Sequence, residues 1–100
     1  MNYKIIWTQR AVKNLQAIYD YIFEDSPFQA QRVTDSIIDC VEPLMTFPNM
    51  GVKVQEVPED NLRELVKFSY RIIYRVVGEE IQILTVLHSR QDFKVTFYTH

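Results

Sequence analysis

Hydrophobic residues in the first half of this 100-residue chain recur at intervals of three and four, and in the second half at intervals of two. That change of period predicts helices followed by strands. Ahead of the helices, Tyr3-Lys4-Ile5-Ile6-Trp7 is a short β-type run. Thr8 follows as an N-cap, because its hydroxyl can accept from an unpaired amide of the first turn. Ala11, Leu15, Ile18 and Ile22 then mark one face of an amphipathic helix. Asp25-Ser26-Pro27 ends that helix and begins another, with Ser26 as cap and Pro27 in the first helical position, where its missing N–H costs little. The second helix has Ala30, Val33, Ile37, Val41 and Leu44 as its buried stripe, widened by Ile38 and Met45. Pro43 cannot donate to the carbonyl four residues back, so a kink or an early end is expected there. Phe47-Pro48-Asn49-Met50-Gly51 closes the helical half as a turn, with Gly51 free to take positive φ.

Residues 52–61 read as a polar connection containing Pro58, Glu59 and Asp60. Strands are expected at 62–68, 70–77 and 81–88, the last two joined by a tight turn at Gly78. The predicted order is β-α-α-β-β-β in one domain over residues 1–100, an α+β fold with two N-terminal helices packed on a curled antiparallel sheet. A short further helix or strand after residue 90 is compatible with the pattern, and the tail from Lys94 to His100 is too short to classify.

Alternation sorts the strand residues onto faces. Tyr70, Ile72, Tyr74 and Val76 share one face, and Arg71, Ile73 and Arg75 the other. Gln82, Leu84, Val86 and His88 share a face that Arg90 continues. If Gly78 and Glu79 are the two turn residues, Arg71 falls opposite Val86, and Arg71, His88 and Arg90 converge. A three-residue turn would instead shift the register by one, put Arg71 across from Leu87 and separate the three.

The composition is that of a folded soluble chain: 47% hydrophobic and 24% charged residues exclude disorder. No apolar run approaches a membrane span, the N-terminus lacks a signal-peptide core, and the cytoplasm is the expected location. The single Cys40 has no internal partner for a disulfide and is expected to be a packed thiol. A net charge of −2 conceals an asymmetry: residues 1–61 carry five Lys/Arg against nine Asp/Glu, and residues 62–100 carry six against four. The strand half is therefore locally cationic, which suggests a specific anionic partner. Metal-ligand spacing, a nucleophile elbow and a glycine-rich phosphate loop are all missing from the sequence, so no metal or cofactor is expected.

Several segments, in order, resemble the RelE/ParE superfamily of bacterial toxins from type II toxin–antitoxin modules. They are Trp7-Thr8 with Ala11 and Leu15, Tyr21-Ile22, Ser26-Pro27, Leu44 through Pro48 with Gly51, Arg63-Glu64-Leu65, Tyr70-Arg71-Ile72-Ile73-Tyr74 and His88-Ser89-Arg90. The resemblance spans nearly the whole chain and implies a toxin of the plasmid-stabilisation type, neutralised by a cognate antitoxin. It implies one of two activities. ParE-like members bind and block DNA gyrase; RelE-like members are endoribonucleases that cut mRNA on the ribosome without a metal. On the nuclease reading Arg71 would clamp the phosphate, His88 would serve as acid or base, Arg90 would add positive charge, and Lys53 and Lys67 would assist. A sequence pI near 5.6 fits poorly with a protein that enters ribosomal RNA, where phosphate neutralisation supplies much of the affinity. The expected function is therefore ParE-like gyrase inhibition, with the ribonuclease, or a decayed module that only binds antitoxin, as alternatives.

Overall fold

The computed structural model describes residues 2–91 and Phe93; Asp92 and the tail 94–100 lie outside the described residues. Strand β1 (Lys4–Trp7) leads into helix α1 (Gln9–Phe23), and α2 (Pro27–Val41) follows after a short bend. Then come β2 (Val52–Lys53), β3 (Arg63–Lys67), β4 (Tyr70–Val77) and β5 (Glu80–His88). Both expected caps are made: Thr8 Oγ1 accepts from Ala11 N–H at 3.3 Å, and Ser26 Oγ from Gln29 N–H at 3.1 Å. α2 stops just before Pro43, and the chain continues as a 3-10 turn over Glu42–Met45 that keeps Leu44 fully buried. Ile38 does not widen the buried stripe. It lies one step around the helix from the buried Ile37 and is 39% exposed.

The five strands form one sheet in the order β1-β5-β4-β3-β2. The helices cross from β1 over the sheet, and β1 lies parallel to β5, with Lys4 opposite Glu80 and Trp7 opposite Ile83. The sheet is thus mixed rather than wholly antiparallel. β2 is a two-residue strand inside the stretch that reads as a connection, pairing Val52 with Glu64 and Lys53 with Arg63. Beyond Ile83, β5 outruns β1, and α1 takes over that flank. The Thr8 hydroxyl donates to the Ile83 carbonyl at 2.7 Å, and Asn14 Oδ1 accepts from Val86 N–H at 3.1 Å and from the Thr85 hydroxyl at 2.7 Å.

The β4–β5 turn has the two residues the sequence indicates, with Val77 opposite Glu80 and Gly78 at φ 59°. The register changes further along. Ile73 pairs with Thr85 but Tyr74 with Ile83, so Leu84 is an extra residue in a β-bulge. Its effect is visible in the packing. Val86 joins the core beneath the helices with Ile37, Leu44, Ile72 and Tyr74, whereas Leu84 packs on the opposite side of the sheet. There Ile73 and Leu87 are covered by Val54, Val57 and Leu62 of the β2–β3 connection and by Phe93.

A buried knot ties the helical half to the sheet. The Tyr74 hydroxyl donates to the Pro48 carbonyl at 2.8 Å and accepts from Gly51 N–H at 2.9 Å. Gly51 is needed here for space and not, as the turn suggests, for positive φ. A Cβ on it would stand 2.7 Å from both the Glu64 carbonyl oxygen and the Tyr74 hydroxyl. Gly51→Ala is expected to lower stability by about 1–3 kcal/mol, read from the urea unfolding midpoint, because one of the clashing atoms is backbone and the others belong to the buried Tyr74 ring.

Candidate functional site

Arg71 is the centre of the most polar feature on the sheet. Strand β4 points it away from the helices, and it is only 7% exposed. Its neighbours across β3 set its company: Val66 lies directly opposite, and Glu64, two residues before, shares the face. Arg71 Nε donates to Glu64 Oε2 at 3.2 Å and Nη2 to Glu64 Oε1 at 2.6 Å. Glu56 arrives from the β2–β3 connection and takes Nη1 at 2.7 Å and Nη2 at 2.9 Å. The remaining Nη1–H donates to the Gln91 carbonyl at 3.0 Å. A guanidinium has five N–H donors, and these contacts employ all of them.

The charges hold one another in place. The hydrogen bonds from Arg71, reinforced by the Phe93 N–H donating to Glu56 Oε2 at 3.1 Å, bring the Glu56 carboxyl down to about 2. The same carboxylates raise Arg71 above its ordinary value, Glu56 first and Glu64 next, against the opposing effect of burial. Because the Glu56 value is depressed by folding, the stabilisation it brings is complete above about pH 4.5 and is lost as pH falls toward 2. Acid titration of the unfolding free energy is expected to show a decline across that window that is shallower in Glu56→Gln.

Beside this network an open depression of about 540 Å³ is lined by Val52, Lys53, Gln55, Val66 and Ser89 together with the three charged residues. The structure therefore brings Lys53 to the same concavity as Arg71. It does not bring His88 there. The bulge places Leu87 opposite Arg71 and His88 opposite Tyr70, so the shared face expected for Arg71, His88 and Arg90 is not formed. His88 stands edge-on to the Tyr70 ring, centroids 5.9 Å apart, in a cleft of about 380 Å³ between α1 and β5. Its Nδ1 accepts from the Arg90 backbone N–H at 3.2 Å, and the Arg90 residue is exposed in the turn after β5. Lys67 pairs with Tyr70, on the side away from Arg71, and its ammonium lies 5.2 Å from the centre of the Phe68 ring.

Sequence reading by sign of charge missed Glu56 and Glu64, which convert a cationic face into a nearly neutral one. Alternation held the signal for Glu64, since it shares a face with Val66. For Glu56 the signal was the pair Val54 and Val57 around it, apolar residues inside a stretch that otherwise reads as solvent-exposed. Cys40 is half-buried, burial raises its thiol, and the Sγ lies 3.1 Å from the Ile37 carbonyl, as for a packed thiol. No group of side chains among the described residues has metal-site geometry, and no described helix is long and apolar enough to cross a membrane.

Two helices over a five-stranded mixed sheet define the RelE/ParE class of toxin folds. A solved chain of the chromosomal ParDE toxin–antitoxin system from P. aeruginosa superposes with a TM-score of 0.73 at 33% identity, over 86% of this chain and 95% of its own. E. coli RelE shares the fold alone, with a TM-score of 0.66 at 16% identity over 90% of this chain and 86% of that one. Toxin RelE2 of Caulobacter vibrioides is 33% identical over 87 residues, 86% of this chain and 94% of that protein. Residues 5–93 match the family described as the ParE toxin of the type II toxin–antitoxin system, parDE, and the chain belongs to that family.

Proposed function

We propose that this toxin arrests growth in the cytoplasm by binding DNA gyrase, and that a cognate antitoxin neutralises it. The observation that carries the reading is the state of Arg71. Its donors are all engaged by Glu56, Glu64 and Gln91, and the imidazole of His88 is on the other side of the sheet. Metal-free RNA cleavage needs a phosphate clamp and an acid–base group around one reacting centre. Here the clamp is neutralised and the acid–base group is elsewhere. The ParE family match and the likeness to a ParDE chain at 33% identity support the same side. On this reading an apolar segment of the antitoxin fills the cleft between α1 and β5, against Ala17, Ile18, Val86 and the Tyr70–His88 wall.

One observation favours the ribonuclease alternative: Lys53 and Arg71 line one depression large enough for a nucleotide. Inducing the protein without an antitoxin, then measuring gyrase supercoiling and mapping mRNA ends, separates the two. Inhibited supercoiling with intact mRNA is expected. Codon-spaced cleavage that disappears in Lys53→Ala, a substitution of an exposed side chain, would overturn the gyrase reading. Absence of any growth defect would overturn both and leave a decayed module that only binds antitoxin.

A further inference from the structure

Three of the described residues have positive φ: Asn61 at 56°, Phe68 at 55° and Gly78 at 59°. Glycine and asparagine are residue types that accept this region. A bulky aromatic enters it only at a cost, because its Cβ crowds the backbone. The comparison with Gly78 is close, since each stands first in a two-residue turn between antiparallel strands. Gly78 follows Val77, which pairs with Glu80, and Phe68 follows Lys67, which pairs with Tyr70. The chain thus makes the same kind of connection twice, once with the residue that fits and once with one that does not.

Packing does not offset that cost. Phe68 is 50% exposed and joins neither apolar cluster of the described residues. Its ring meets the Lys67 ammonium at 5.2 Å from the centroid, and a cation–π contact at an exposed site is weak. Strain held at the surface, around a side chain that the core does not use, points to a residue kept for what it touches outside the molecule. The turn is also a firm base for such a contact, because the Ser69 carbonyl accepts from Ser89 N–H at 2.7 Å. Apolar surface continues from it: Val66, two residues earlier, and Val52 are both exposed and line the depression beside Arg71. An aromatic ring with a cation beside it and aliphatic side chains around it is the composition of an interface anchor.

We propose that Phe68 is the anchor that this toxin inserts into an apolar pocket on its protein target, with Lys67 meeting a carboxylate at the pocket's mouth. Val66 and Val52 extend the apolar contact toward the depression. That the target is gyrase rests on the reading given above; the role of the ring as a protein anchor rests on the turn.

Inducing the protein without an antitoxin, and adding the purified protein to a gyrase supercoiling assay, tests this. Phe68→Gly removes the ring and relieves the backbone, so stability and function are expected to part company. The thermal midpoint is expected to rise, or to stay within about 5 °C of wild type. Growth arrest is expected to weaken, and the concentration giving half-inhibition of supercoiling to rise about tenfold or more. Phe68→Asn, which also accepts positive φ, is expected to match Phe68→Gly, and Phe68→Tyr to remain near wild type. A midpoint lowered further than that in either Phe68→Gly or Phe68→Asn would assign the ring to the fold and end the proposal. So would growth arrest as strong as that of the wild type. If the wild-type protein arrests growth but leaves supercoiling untouched, the gyrase reading fails, and the growth readout alone decides on Phe68. Codon-spaced mRNA cleavage that Phe68→Gly abolishes would put the ring against a base instead of a protein pocket, and the proposal would fall. A wild-type protein without effect on growth overturns it as well.

Discussion

Replacing Arg71 by alanine is expected to cost about 2–4 kcal/mol of folding free energy, one of the two largest losses expected from a single substitution here. The figure does not come from the ion pairs as such. Two carboxylates in one place repel each other, and without the guanidinium Glu56 and Glu64 would both face a partly desolvated site, with side chains only 21% and 13% exposed. The Gln91 carbonyl would lose its donor as well. In thermal unfolding of a domain this size the loss corresponds to roughly 10–20 °C in Tm. A diagnostic control is the simultaneous replacement of Arg71, Glu56 and Glu64 by methionine. If the cost of Arg71→Ala arises from stranded charge, the triple variant recovers most of it, because apolar side chains of similar size need no partner. A triple variant as unstable as the single one would show instead that the fold needs the directional bonds.

Phe93→Ala is expected to destabilise the protein by about 3–5 kcal/mol. The ring is fully buried against Ile73, Leu87 and the three apolar residues of the β2–β3 connection, and it is the largest side chain among the described residues of that cluster. Truncation leaves a cavity that the strands cannot close, since β4 and β5 are fixed on their other face by the helical core. Phe93→Leu, which keeps most of the volume, is expected to cost less than half as much. Chemical denaturation of both variants measures the difference. Equal costs would mean that the side chain's shape, and not the volume it fills, is what the second cluster requires.

Much of this fold could be read from the residues. Thr8, Ser26 and Pro27 set the starts of the helices because each satisfies or forgoes the orphan amides of a first turn. Pro43 fixed the end of α2 by the donor it lacks. The β4–β5 turn was equally legible, since Gly78 takes the positive φ that few other residues accept. What the residues did not disclose is the bulge at Leu84. No residue type there demands one, and leucine fits either face. Yet a single unpaired residue reverses the direction of every side chain between it and the strand end, and so moved His88 to the side opposite Arg71. The parallel pairing of β1 with β5 was hidden for a different reason: it joins residues nearly eighty apart, and periodicity reports only what is local. The candidate site was legible in its arginine and illegible in its glutamates, because charge signs along a chain do not tell which carboxylate will fold back onto which cation.

The manner in which α1 lies along the upper half of β5 bears on what happens when two copies of this chain meet. A strand flank with bare amides is a template on which another molecule can extend the sheet, and such growth ends in aggregates. On this flank the amide of Val86 is taken by Asn14, and the amide of His88 by the Gln91 side chain at 2.8 Å. A neighbouring strand would first have to displace both side-chain oxygens, while a helix stands in its path. The helix that looks like a scaffold for the core is therefore also a guard, keeping separate molecules separate along that side of the sheet.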